Sequence, residues 1–489
     1  MTRRPSAARA VAAAALCAAV ACTSGDPVAS PSPPSSSPPS PTASPSPSAT
    51  ATTVPPLTSP SPSAPPAGPP CPAAYAAPHP DRPVVELAFV VGDDLRTVRG
   101  TERVTFTPDL PVERLVFRLW SNKPFHRTPP MTVSKVVVDG RPASFTLSSA
   151  ASLLSVALPR RVAPGTRIVT ELTFRLVLPQ SSNERWSTSG GTASFGTGFP
   201  LLAWERGRGW ATEPPTTAFA EATTSEAFRL ALNVTAPAGY TVLATGRPAP
   251  SPGGVTRRTA AAVRDVLVAV GKFRIARGRV GTTPVTVGVA PGLPDDPARL
   301  VRLHVDGTRA LERRFGPFPY ESLDVAVVPA LSGGIEFPGA ILLGSRQDRD
   351  ATLVHEIAHE WFYGLVGNNQ GRDPWLDESF ATYAEALVRG TGGEYLSSSI
   401  PASGRNRVGR PMTYWESRRR DYYRSVYVQG AAALLRARAG NPAAFDRAIR
   451  CYVNASAHRV VTPADLHRAL SGLPVARRTL FRFGALPRP

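Results

Sequence analysis

The sequence predicts an α+β multidomain chain, an antiparallel β domain followed by a mainly helical one. Short alternating apolar runs recur between Thr101 and Val234, and helical spacing takes over after Pro297. A long stretch of proline and small residues sets both apart from the N-terminus.

Residues 1–22 read as an export signal. Arg3, Arg4 and Arg9 precede an apolar run, Ala10 to Ala21, that is too short for a comfortable membrane span. Cys22 follows Ala-Val-Ala and precedes Thr-Ser-Gly, which resembles a bacterial lipoprotein cleavage site with lipid on the new terminal cysteine; plain secretion is the other reading. Residues 23–72 form a tether. From Asp26 to Pro70 the chain is almost wholly Pro, Ser, Ala and Thr, with no aromatic residue and no charge beyond Asp26, so it has nothing with which to build a core.

Residues 73–271 are the β-rich domain. Thr101–Thr107, Leu115–Leu119, Val133–Val138, Ile168–Val177 and Phe228–Val234 alternate apolar with polar residues. In the clearest, Ile168, Leu172, Phe174 and Leu176 share one face and Val169, Glu171, Thr173 and Arg175 the other, as in a sheet with one dry side. Residues 272–489 begin with strands at Pro284–Ala290 and Leu323–Pro329 and then turn helical. Pro297–Phe315 carries Leu300, Leu303 and Leu311 at helical intervals and stops at Gly316. Later helices are expected over Tyr427–Ala439, over Pro442–Tyr452, and after Thr462 as N-cap with Pro463 in the first turn.

The chemistry is expected in Ala351–Ala386. His355 and His359 are four apart in HEIAH, so a helix puts both imidazoles on one face, as two ligands of one zinc ion require. Glu356, between them, reaches a water at the ion without binding the ion, which suits a general base. Glu378, nineteen positions on (378 − 359) in WLDESFATYAEA, is the third ligand if a second helix begins near Leu376; Gly364, Gly367, Gly371 and Pro374 let the chain turn back. Trp361, Phe362 and Trp375 are packing for these helices, and Glu385 either orients a ligand or is a solvated helix acid.

HExxH, eighteen residues, then Glu inside a WLDE run resembles the M1 family of gluzincin zinc aminopeptidases, the family of aminopeptidase N and leukotriene A4 hydrolase. GGIEFPG, Gly333 to Gly339, is similar to that family's substrate-amine loop, usually Gly-Ala-Met-Glu-Asn, with Phe337 standing where the Asn falls. Tyr427 in YVQG resembles the tyrosine of its Tyr-x-Lys-Gly element. The resemblance implies a saddle-shaped N-terminal β domain and a thermolysin-like catalytic domain, with no large C-terminal helical domain. It implies one Zn2+ per chain on His355, His359 and Glu378, Glu356 as base, and Tyr427 as donor to the oxyanion. Glu336, with Gly333 and Gly334, then binds the amine of a peptide substrate.

The formal charge of +19 comes from 55 Lys and Arg against 36 Asp and Glu, spread without a long run, and reads first as a solvated surface. It favours anionic partners such as lipid head groups, and the membrane is reached through the anchor at Cys22. No recognition motif accompanies the charge, so nucleic acid is not an expected partner. Of four cysteines, Cys17 and Cys22 belong to the leader. Cys71 and Cys451 either pair in an oxidising compartment or leave Cys451 as a buried thiol. The functional expectation is an exported zinc aminopeptidase. The alternatives are an M1-like endopeptidase with altered amine recognition and, from a different class, an inactive peptidase fold kept as a binding lipoprotein.

Overall fold

Alternation in the first domain folds as a large, mostly antiparallel sheet. A computed structural model describes residues 71–123, 129–217, 224–251, 253–345 and 349–487; the leader, Cys22 and the tether to residue 70 lie outside the described residues. The sheet runs, in spatial order, Arg247–Ala249, Val255–Val263, Phe228–Thr235, Val84–Val91, Thr97–Phe106, Ile168–Val177, Met131–Val138 and Arg141–Pro142. Its one parallel pair joins Val84–Val91 to Phe228–Thr235. In Ile168–Val177 the residues expected on the dry face are buried, and Glu171, Thr173 and Arg175 are exposed. Two four-stranded sheets and the two-stranded ribbon of Trp204–Glu205 with Gly209–Trp210 complete the domain, and they meet the large sheet in a single core that includes Phe89, Phe106, Trp120, Phe174, Trp186 and Trp204.

The catalytic half opens with a five-stranded sheet in the order Arg274–Val280, Thr283–Val289, Leu323–Val328, Ala340–Gly344, Gly334–Phe337. Helix α1, Pro297–Phe315, starts where Asp296 accepts from the N–H groups of Ala298 and Arg299 and ends at Gly316 with φ +110°. Helix α2 spans Arg349–Ala358 and α3 spans Trp375–Arg389. Helices α4, Gln429–Ala439, and α5, Pro442–Ser456, close the core behind them, around Trp361, Phe362, Trp375 and Phe380. The helix expected over Tyr427–Ala439 begins later than its sequence pattern indicated. Residues Tyr423–Val428 form a π-helical turn, and Tyr427 lies in that turn rather than in the α-helix.

A third apolar cluster joins the two halves. Leu243, Leu267 and Ala269 of the β domain pack on Ala326, Val328, Phe337, Ala340 and Leu342 of the five-stranded sheet. Strand alternation then fixes the outer edge: Phe337, with Ile335 partly buried beside it, enters this cluster, while Gly334 and Glu336 take the other face. Cys71 and Cys451 form a disulfide spanning 380 residues. It pins the segment after residue 70 onto α5, where Ala76 donates to the Asn454 carbonyl and Asn454 donates to the Pro72 carbonyl.

Candidate active site

Two helices and one strand edge converge. Helix α2 tightens at its end, so that Glu360 donates its N–H to the Ile357 carbonyl three residues back and His359 falls just past the last helical residue. That half-turn does not separate the imidazoles. His355 Nε2 and His359 Nε2 are 3.1 Å apart, and Glu378 Oε2, from the first turn of α3, lies 3.2 Å from the first and 3.4 Å from the second. Donors held about 2.0–2.2 Å from a tetrahedral zinc stand about 3.4 Å apart, so the triangle has the size of three such ligands.

The charges agree with that fit. Burial raises the cost of ionising Glu378, but hydrogen bonds from both imidazoles outweigh it and hold the carboxyl down at about 2. Burial disfavours charge on His355 and His359, yet the surrounding carboxylates pull both above the ordinary histidine value. A carboxylate and two imidazoles that attract positive charge so strongly are a donor set for a divalent cation. His359 Nδ1 faces the Phe362 carbonyl at 3.0 Å, which leaves Nε2 for the ion. His355 Nδ1 is 3.8 Å from Glu385 Oε2, too long for a direct hydrogen bond; Glu385 accepts from Arg389 and Tyr395 instead.

Glu356 is buried, and its Oε2 has no hydrogen-bond partner. Burial pushes its carboxyl up to about 8 against the pull of the two imidazoles. A Cβ on Gly334 would come within 2.4 Å of the Glu356 side chain, so the strand edge touches the base only because that residue is glycine. Glu336 is also buried, and one oxygen of it, one of Glu356 and a nitrogen of His359 all lie within 4.8 Å of one another. Gly333 accepts from the Gly344 N–H at 2.7 Å, and Ser332 donates to Asn183 of the β domain at 2.8 Å, which secures the loop from both sides. At its other end Glu360 accepts from the Gly339 N–H at 2.8 Å.

The Tyr427 ring lies parallel to that of His355, with centroids 5.7 Å apart and planes 9° from coplanar. Burial and the Glu378 carboxylate, which its hydroxyl reaches, push that hydroxyl well above its ordinary pKa, so it stays a donor. A π-helical turn often marks a functional position in a helix. Gly430, three residues on, lets α4 close on α3, since a Cβ there would meet Ser379 Oγ at 1.9 Å. Tyr422 stands behind at 5.7 Å from the Tyr427 ring, its buried hydroxyl without a partner.

The structure brings in residues that motif spacing does not single out. Gln370 Nε2 donates to Glu336 Oε1 at 3.3 Å and to Asp377 Oδ2 at 3.0 Å. From the β domain, Arg264 donates to the carbonyls of Gly364 and Ser225, and Asp265 accepts from the Tyr363 hydroxyl; together they hold the turn after His359. Arg372, just before α3, pairs with Glu205 at 2.7 Å and Glu213 at 2.9 Å. The contacts of Arg264, Asp265 and Arg372 cross domains and those of Gln370 join a loop to a strand edge, which no local sequence pattern encodes.

Comparison with known proteins agrees with the geometry. The Peptidase family M1 domain matches residues 315–479, which hold every residue of the site described above except those of the β domain. Aminopeptidase N of Streptomyces lividans is 36% identical over 85 residues, and aminopeptidase B of Rattus norvegicus 34% over 85. Those matches cover 15% and 16% of this chain and span only 10% and 13% of the two relatives. Among solved structures, the M1 zinc metallopeptidase of Deinococcus radiodurans superposes with a TM-score of 0.61 at 23% identity, over 84% of this chain and 94% of that one. A mutant of it bound to a Tyr-Ser-Ala substrate matches equally, with a TM-score of 0.61. The fold is thus that of the two-domain M1 zinc metallopeptidases, and within it residues 315–479 match the peptidase family M1 domain.

Proposed function

We propose that this protein is a zinc aminopeptidase that releases residues from the N-termini of peptides, with His355, His359 and Glu378 holding the ion. The observation that carries the reading is the position of Glu336. A buried carboxylate within 4.8 Å of the base and of a metal-site histidine is placed to hold the ammonium group of a substrate whose first peptide bond lies beside that base. The matched relatives are named as aminopeptidases, and a tripeptide occupies the Deinococcus mutant, which agrees with this class of substrate.

Zinc bound at the triad supplies Lewis acidity for hydrolysis. The chain's own residues do the rest. Glu336 binds the substrate ammonium and so sets the first peptide bond beside Glu356. Glu356 takes the proton of the attacking water and returns it to the leaving nitrogen, a task suited to a carboxyl whose burial raises its basicity. The Tyr427 hydroxyl, kept protonated, donates to the oxygen on which charge develops. Phe337 does not weaken the amine site, because its ring lies on the opposite face of the strand, in the interdomain cluster.

Export with a lipid on Cys22 is the companion proposal. It is supported by the leader sequence, and the Cys71–Cys451 disulfide fits an oxidising compartment. The test of activity is product analysis: the zinc-loaded protein and a ten-residue peptide are expected to give a ladder shortened from the free N-terminus, and the N-acetylated peptide none. Internal cuts in both peptides would replace this reading with an endopeptidase.

A further inference from the structure

We propose that Gln370 is a positioning residue that sets Glu336 for recognition of the substrate's ammonium group, an inference that rests on the aminopeptidase reading above. Gln370 is fully buried, and its amide nitrogen spans two carboxylates, Glu336 Oε1 at 3.3 Å and Asp377 Oδ2 at 3.0 Å. Asp377 is itself fixed, because its Oδ1 accepts the backbone N–H of Glu378 at 2.8 Å. A continuous path of hydrogen bonds therefore runs from Glu336 on the strand edge through Gln370 and Asp377 to the backbone of the metal-site residue Glu378.

The choice of an amide is informative. A glutamate side chain has three rotatable bonds, and holding it in one rotamer before substrate arrives removes an entropic cost from binding. Lysine or arginine would hold Glu336 as well, but would neutralise it and compete with the substrate for the carboxylate. Glutamine orients without charge. Because glutamine is neutral, it leaves the charge of Glu336 for a substrate ammonium to meet. The local sequence GNNQGRDPWLDE places Gln370 seven positions before Asp377, so the loop ahead of α3 delivers the amide and the first turn of α3 its anchor.

The test compares Gln370→Met, which keeps length and removes the donors, with the wild type. The probes are leucine hydroxamate and its analogue lacking the α-amine. In the wild type the free-amine compound inhibits more strongly. In Gln370→Met that preference falls tenfold or more, while inhibition by the des-amino analogue stays within about twofold and zinc content stays at one per chain. KM for a leucyl-arylamide rises more than kcat falls. In a Glu336→Ala background the Gln370→Met change adds nothing further. Gln370→Leu, also without donors or charge, carries the same expectation for the preference and serves if the methionine variant does not fold. A variant that keeps the wild-type preference, or that weakens both inhibitors alike, overturns the proposal. A wild type with no preference between the two inhibitors instead overturns the aminopeptidase reading itself.

Discussion

Glu356 and Glu102 are both buried carboxyls, and they differ in what surrounds them. Glu356 faces two imidazoles and a second acid within a metal site, whereas Glu102, on the inward face of its strand, has no partner for either oxygen. Replacing Glu356 by Gln preserves shape but removes the proton acceptor. The expected result is unchanged zinc content with turnover reduced about 10²–10⁴-fold, read by metal analysis and steady-state kinetics. Burial lifts the Glu102 carboxyl well above its ordinary value, so the fold keeps its proton to a higher pH than the unfolded chain does. For an acid raised on folding, the unfolded state binds fewer protons above about pH 4.3. Stability is therefore lost as pH rises from there to the folded value, by about 1.4 kcal/mol per unit. Glu102→Leu is expected to raise the melting temperature at pH 7 to 8, and the difference from wild type to shrink toward pH 4. A variant less stable than wild type at pH 8 would mean that Glu102 has a partner in solution.

At the scale of elements, what was legible followed from local periodicity. The alternation of Ile168–Val177, the stop of α1 at Gly316 and the Thr462 cap all have their cause within a few residues of themselves. HEIAH was legible for the same reason, and Glu378 because α3 starts where Pro374 allows. The π-helical turn at Tyr427 was not, since one extra residue in a helical turn leaves no mark in apolar periodicity. Gln370, Arg264 and Asn183 were invisible too, because each acts on an element distant in sequence. Cys71 and Cys451 left their pairing open for the same reason. The strap they create also carries Tyr75, whose hydroxyl donates to the Pro317 carbonyl at 2.5 Å and accepts from Trp361 Nε1 at 3.0 Å. Closing a loop of 380 residues contributes about 6 kcal/mol by the chain-entropy relation, beyond the usual range for disulfides. Cys71→Ser with Cys451→Ser should therefore melt about 5 °C lower or more in calorimetry, with zinc still bound at 25 °C. An unchanged melting temperature would mean the strap contributes nothing.

Across the whole molecule, the β domain serves the site as much as the helices do. It buries Phe337 and Ile335 from one side, and this turns Gly334 and Glu336 toward Glu356 on the other. It also clamps the turn after His359 through Arg264 and the loop before α3 through Glu205 and Glu213. The central claim is that this arrangement makes Glu336 the anchor for a free N-terminus. The direct measurement is kcat/KM for a leucyl-arylamide and its N-acetyl form, in the wild type and in Glu336→Ala. Acetylation leaves a buried carboxylate facing a neutral amide, a loss of about 2–3 kcal/mol or more. The account predicts at least about a 30-fold preference for the free amine in the wild type, and its collapse in Glu336→Ala through loss of the free-amine reaction alone. Equal cleavage of both substrates by the wild type, or a preference that survives in Glu336→Ala, would contradict it.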